Sequence, residues 1–130
     1  MDKKTDEIRI EIITRLTKPI PTLMLRVSGK LDSTTVEKFS KKIRGYMEDR
    51  TIGFVLNFQK LEYVNSTALR EILKIHHELK KKNGFVSFLS VNDNISDVIS
   101  LVGISEVIPV YDSNQAFLNA IQKQKEPYTA

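Results

Sequence analysis

Along the chain the apolar residues recur with two different periods, and the changeovers between them mark the elements. In 8–16 (IRIEIITRL), Ile8, Ile10 and Ile12 alternate with polar residues, which predicts a strand with one buried face. A second apolar run, 22–28 (TLMLRVS), follows the loop TKPIP, so the two read as a hairpin. The spacing then becomes helical. Val36, Phe39, Ile43, Tyr46 and Met47 fall on one stripe, and Thr34-x-x-Glu37 ahead of them has the form of a capping box. Residues 52–58 (IGFVLNF) are apolar almost without a break, as a strand covered on both faces should be.

A second helical pattern runs over 66–82, with Leu69, Ile72, Leu73, His76 and Leu79 on one face, and Asn83-Gly84 ends it. It is followed by a strand at 85–89 (FVSFL), a short helix at 94–102 closed by Gly103, an edge strand at 107–110 carrying Pro109, and a last helix at 113–124. Short connections and right-handed crossovers make this order an α/β fold. An opening β-hairpin precedes alternating strands and helices, giving a mixed, largely parallel sheet of about five strands with four helices. One domain over 8–121 is expected, with flexible ends at 1–7 and 122–130. In such a sheet every strand-to-helix loop emerges at the carboxyl edge, where ligands and partners bind. Residues 29–35, 59–67 and 90–94 are therefore expected to share one rim.

Charge and composition remove most chemistries. Twenty Lys and Arg against 16 Asp and Glu leave a net charge of +4. Neither basic cluster, Lys41-Lys42-Ile43-Arg44 or Lys80-Lys81-Lys82, is interleaved with aromatics, so direct nucleic-acid binding is not expected. The second cluster falls at a helix end, where cations complement the dipole. With no Cys there is no disulfide, thiolate metal site or cysteine nucleophile. The glycines are scattered, which excludes a phosphate-cradling or dinucleotide loop, and the central strand ends in Leu56-Asn57-Phe58 without an Asp phosphoacceptor. His76 and His77 are adjacent on a helix and diverge by roughly 100°, so they do not pair on a metal, and Glu62 has no spaced second carboxylate. No catalytic residue, metal or cofactor is expected, and the chain does not read as an enzyme. The start MDKKTDEIRI lacks the apolar stretch of a signal peptide and no apolar run approaches a bilayer span, so a cytoplasmic protein without membrane contact is expected.

What remains is YVNSTALREIL, residues 63–73, where Ser66 and Thr67 stand at a helix start. A hydroxyl there can cap the free N–H groups of the first turn. The same donors and the positive end of the dipole also suit a phosphate. Physical reasoning leaves both readings open.

The order of elements, Gly29-Lys30-Leu31-Asp32 after the second strand, and Val64-Asn65-Ser66-Thr67-Ala68-Leu69 opening the second helix together resemble the STAS domain of sulfate transporters and anti-sigma factor antagonists. The resemblance covers 8–121, and Asn65 to Leu69 align without a gap to that family's Asp-Ser-Ser-Gly-Leu. It implies an anti-sigma factor antagonist that binds an anti-sigma factor serine kinase, is switched off when that kinase phosphorylates Ser66, and is reset by a serine phosphatase. Asp32, Asn65, Ser66, Thr67 and Leu69 would form the partner-binding surface. Asn57, Asn65 and Ala68 depart from the pattern, which has Asp, Asp and Gly there. The loss of the acids motivates an alternative: a constitutive scaffold or accessory module of a stressosome-type or lipid-transport complex, in which the hydroxyls serve only as caps.

Overall fold

The computed structural model describes residues 8–125. Strand β1 (Arg9–Leu16) and strand β2 (Thr22–Leu31) form the opening hairpin, followed by helix α1 (Val36–Glu48), β3 (Gly53–Asn57), β4 (Leu61–Val64) and α2 (Ser66–Lys80). Then come β5 (Phe85–Leu89), α3 (Asp93–Val102), a 3-10 turn (Ile104–Glu106), β6 (Val110–Tyr111) and α4 (Asn114–Lys125). The sheet order is β1-β2-β3-β5-β6; β1 runs antiparallel to β2, and β2, β3, β5 and β6 are parallel. The predicted α/β fold with four helices is present, with a sixth strand.

That sixth strand explains how the chain reaches Ser66. β2 is ten residues long. Its first half, from Thr22 to Arg26, pairs with β3, and its second half, from Gly29 to Leu31, pairs with β4. Residues 59–67, expected to be one loop, therefore contain a strand. The chain leaves β3 at Asn57, whose Oδ1 accepts the Gln59 N–H at 2.9 Å to close a side-chain turn, and re-enters the sheet beside the far end of β2. β4 has only four residues and buries only Leu61 and Val64, too short for alternation to show in the sequence.

Alternation along the strands divides the core in two. Leu23, Leu25, Phe54, Leu56, Val86 and Phe88 face α1, α2 and α3. Met24, Val55 and Leu89 face Phe117 and Ile121 of α4. β1 departs from its predicted pattern. Ile8 is buried but Ile12 is 46% exposed, because β1 is an edge strand whose outer part lies beyond the helices. A bulge between Ile12 and Thr14 then carries Leu16 to the α4 face.

Three element ends differ from expectation for local hydrogen-bonding reasons. The capping box does not form: α1 has Thr35 at its N-cap, and no side chain caps it. Instead Thr35 Oγ1 accepts the Asp32 N–H at 3.0 Å and donates to the Lys30 carbonyl at 2.8 Å. α2 ends at Lys80 rather than Lys82, with Asn83 turning the chain at φ 66°. The last strand is Val110–Tyr111 rather than 107–110, since the Val107 and Ile108 N–H groups are taken by Ile104 O in the 3-10 turn. The last helix, expected over 113–124, runs from Asn114 to Lys125; 1–7 and 126–130 lie outside the described residues. Among the described residues no helix is long and apolar enough to cross a membrane.

Candidate functional site

Ser66 is not the cap of α2. That position belongs to Asn65, whose extended backbone (φ −114°, ψ 174°) turns Oδ1 onto the Ala68 N–H at 3.0 Å. The Asn65 N–H is held by Leu31 O at 3.2 Å, and the Leu69 N–H by Asn65 O at 3.1 Å. Ser66 and Thr67 then occupy the first helical positions, where their N–H groups have no helical partner. The Ser66 side chain is half-buried and that of Thr67 exposed. Leu69, expected on the contact surface, is fully buried in the core, because one turn into α2 its position faces the sheet.

The amide at Asn65 does what a carboxylate could not. Its Oδ1 caps the helix while its Nδ2 donates to Ser33 Oγ at 3.3 Å, joining the β4–α2 connection to the β2–α1 connection. An ionised Asp has acceptors only and would keep the cap but lose the donor. Asp32 lies next to Ser33 in that connection. Its Oδ1 accepts from both the Thr34 hydroxyl (2.7 Å) and the Thr34 N–H (2.9 Å). These hydrogen bonds, the hydroxyl one first, hold the Asp32 carboxyl below its usual range. Asp32, Asn65, Ser66 and Thr67 are thus on one rim, at the carboxyl ends of β2 and β4.

The third loop of the rim is attached through a residue that sequence reading passed over. Asn92 caps α3 by accepting the Ile95 N–H at 3.1 Å, and its Nδ2 lies within 3.1 Å of Phe58 O, 3.1 Å of Gln59 O and 2.9 Å of Leu61 O. It ties the β5–α3 connection to the turn that delivers β4. Two further residues were also missed. Arg70, one helical turn after Ser66, brings its Nη2 to 3.5 Å from Ser66 Oγ; the i,i+4 spacing was its only signal. Arg44 of α1 bridges to α2, with Nη2 3.3 Å from Glu71 and Nη1 against Glu78. Ser40 Oγ donates to Glu71 at 2.7 Å in the same cluster. Hydrogen bonding to Glu78 first, then Glu71, keeps the Arg44 guanidinium charged, and the same pairing lowers the Glu78 carboxyl. The cluster fixes α2 against α1, and so the start of α2 beside the β2–α1 connection.

The sequence profile of the STAS domain matches residues 9–116, most of the chain. The chain belongs to the STAS domain family. Among relatives of this STAS domain, the anti-sigma F factor antagonist of Paenibacillus polymyxa is 24% identical over 101 residues, 77% of this chain and 86% of the relative. An anti-sigma factor antagonist from Mycobacterium paratuberculosis superimposes with a TM-score of 0.75 at 20% identity, over 90% of this chain and 96% of the other. The anti-sigma factor antagonist SpoIIAA matches in its unphosphorylated form with a TM-score of 0.69 at 20% identity, covering 89% of this chain and 96% of its own. The phosphorylated form of Bacillus SpoIIAA matches with a TM-score of 0.61 at 21% identity, covering 87% and 98%. The six-stranded sheet and four helices are those of the STAS fold. In this STAS domain the rim carries a hydroxyl, Ser66, whose capping duty has been taken by its neighbour.

Proposed function

We propose that this STAS domain is an anti-sigma factor antagonist that binds a kinase-type anti-sigma factor through the rim around Ser66 and is released when Ser66 is phosphorylated. The observation that carries this reading is the division of labour at the start of α2. Asn65 caps the helix, which leaves the Ser66 hydroxyl half-exposed and free of that structural role. The relatives named anti-sigma factor antagonist, one of them known in both phosphorylated and unphosphorylated forms, support it.

A phosphoryl group on Ser66 would bring roughly −1.5 to −2 charges to the rim. Within the domain these meet the positive end of the α2 dipole and the Arg70 guanidinium, so the fold accommodates them. A partner docked over Ser66 and Thr67 gains a bulky dianion in its interface, beside the Asp32 carboxylate. The energetic effect falls on binding, and a serine phosphatase would restore it. The partner would act in the cytoplasm, and neither nucleic acid nor membrane enters the scheme.

The experiment pairs the protein with its cognate anti-sigma factor and ATP, reading intact mass and binding together. A single phosphoryl gain on the wild type, absent from Ser66→Ala, with partner binding lost on modification, is the expected result. Stable binding with no mass gain would replace this scheme with the constitutive scaffold reading.

A further inference from the structure

β6 is short, and its consequence lies at the other end of α2 from Ser66, about 15 Å along the helix axis. Because β6 pairs only with Phe88 and Leu89, the outer edge of β5 before Phe88 has no neighbouring strand among the described residues. A cavity of about 420 Å³ opens against that edge, between the C-terminal half of α2 and α4. Its size is that of a small-molecule site.

Two polar groups in its wall are without partners among the described residues, although their own residues are almost wholly buried. His76 is 5% exposed, and its Nδ1 accepts the edge N–H of Val86 at 3.0 Å, the donor that β6 does not reach. An imidazole accepting at Nδ1 is neutral and carries its proton on Nε2. Among the described residues that Nε2–H finds no acceptor. Ser87, 3% exposed, likewise has no hydrogen-bond partner for its hydroxyl. Neither atom is sealed from the cavity, since no buried side-chain N or O among the described residues lacks a partner. Burial first, then the nearby Lys80 and His77 charges, lowers the pKa of His76 and keeps the ring in this neutral form.

The remaining walls separate by character. Phe85, Tyr111, Phe117 and Ile121 are apolar, and Phe117 stacks with both Phe85 (6.0 Å) and Tyr111 (5.7 Å). Lys80 and His77 stand with His76 on α2, and Glu106 stands on the 3-10 turn. We propose that this cavity is a binding site for a small carboxylic acid with an aromatic or short aliphatic body. Its carboxylate accepts from His76 Nε2 and Ser87 Oγ beside the Lys80 ammonium, and its body packs on Phe85, Phe117 and Ile121. Two donors and a cation along the open edge of β5, His76 and Lys80 from α2 and Ser87 from the strand face toward α4, call for an anionic acceptor there, and Glu106 turns that end away from the 3-10 turn. The site is separate from the rim, so the inference stands or falls independently of phosphorylation at Ser66.

The test titrates 4-phenylbutyrate, and separately its neutral amide, into the isotope-labelled full chain at neutral pH and follows the backbone amide resonances. Saturable shifts at Val86, Ser87 and Tyr111, with the amide at least about fivefold weaker, are expected. Lys80→Gln should weaken the carboxylate and Glu106→Gln should tighten it; both positions are exposed, so the fold is retained. No saturation up to about 10 mM, shifts confined to other surfaces, equal binding of acid and amide, or indifference to both substitutions would overturn the proposal.

Discussion

Asn92 joins three segments with one amide, and replacing it separates the contributions of cap and donor. In Asn92→Ala the Ile95 N–H loses its cap, which costs about 1 kcal/mol. The two Nδ2 hydrogens, shared among Phe58 O, Gln59 O and Leu61 O, are worth about 1 kcal/mol each at a buried site. Asn92 is half-buried, so water recovers part of this and the expected loss is about 2 to 3 kcal/mol. For a domain of this size that lowers Tm by roughly 10 °C. Asn92→Asp keeps the acceptor for Ile95 but sets a carboxylate against three carbonyls. It should be at least as destabilised as the Ala variant at neutral pH and recover as the carboxyl takes up a proton in acid. Urea unfolding of the two variants, with amide exchange at residues 58 to 64, measures both effects. If Asn92→Asp proves more stable than Asn92→Ala by more than about 0.5 kcal/mol, the cap accounts for the residue and the three-carbonyl latch is refuted.

Three further outcomes follow from single contacts. A Cβ on Gly84 would lie 2.0 Å from the Ile52 carbonyl oxygen, so Gly84→Ala must shift the entry to β5 and should cost about 2 kcal/mol or more in chemical denaturation. His76 has a folded pKa below its unfolded value of about 6.5. Its stabilisation is therefore complete above that pH and is lost as acid protonates the unfolded chain first, until the folded pKa is reached. His76→Phe, lacking an acceptor for Val86, should be less stable at neutral pH and should vary less in stability as the pH falls below about 6.5, as read by denaturant midpoints at successive pH values. Arg70→Ala should leave the Tm of the unmodified chain nearly unchanged, because its contact with Ser66 is long and exposed, and should lower the Tm of the Ser66-phosphorylated form.

Much of the architecture is legible in local pattern. The stripe of Leu69, Ile72, His76 and Leu79 commits α2 to the sheet, and the unbroken run at 54–56 identifies β3 as a strand covered on both faces. Ser66 was legible as a hydroxyl at a helix start on the carboxyl rim, and its proximity to Asp32 followed from topology. Its release from capping was not. Asn, Ser and Thr in succession all suit an N-cap, and only the backbone geometry, with Asn65 extended and bonded to Leu31 O, selects among them. The same reason defeats the Thr34-x-x-Glu37 box, where Thr35 is drawn to Lys30 O instead. The partners of Arg44, Asn92 and His76 escaped because they lie 10 to 34 residues away.

By itself the sequence determined the order of the helices and of every strand but β4, the buried faces of α1, α2 and β3, and a hydroxyl pair at the start of a central helix, because each depends on the spacing of neighbours along the chain. Tertiary structure alone decided that β2 is shared between β3 and β4, that Asn65 rather than Ser66 caps α2, and that His76 guards an unpaired edge of β5. Those outcomes depend on which backbone groups remain unpaired after the sheet has closed. That inventory is set by strand lengths and register, which no local window contains.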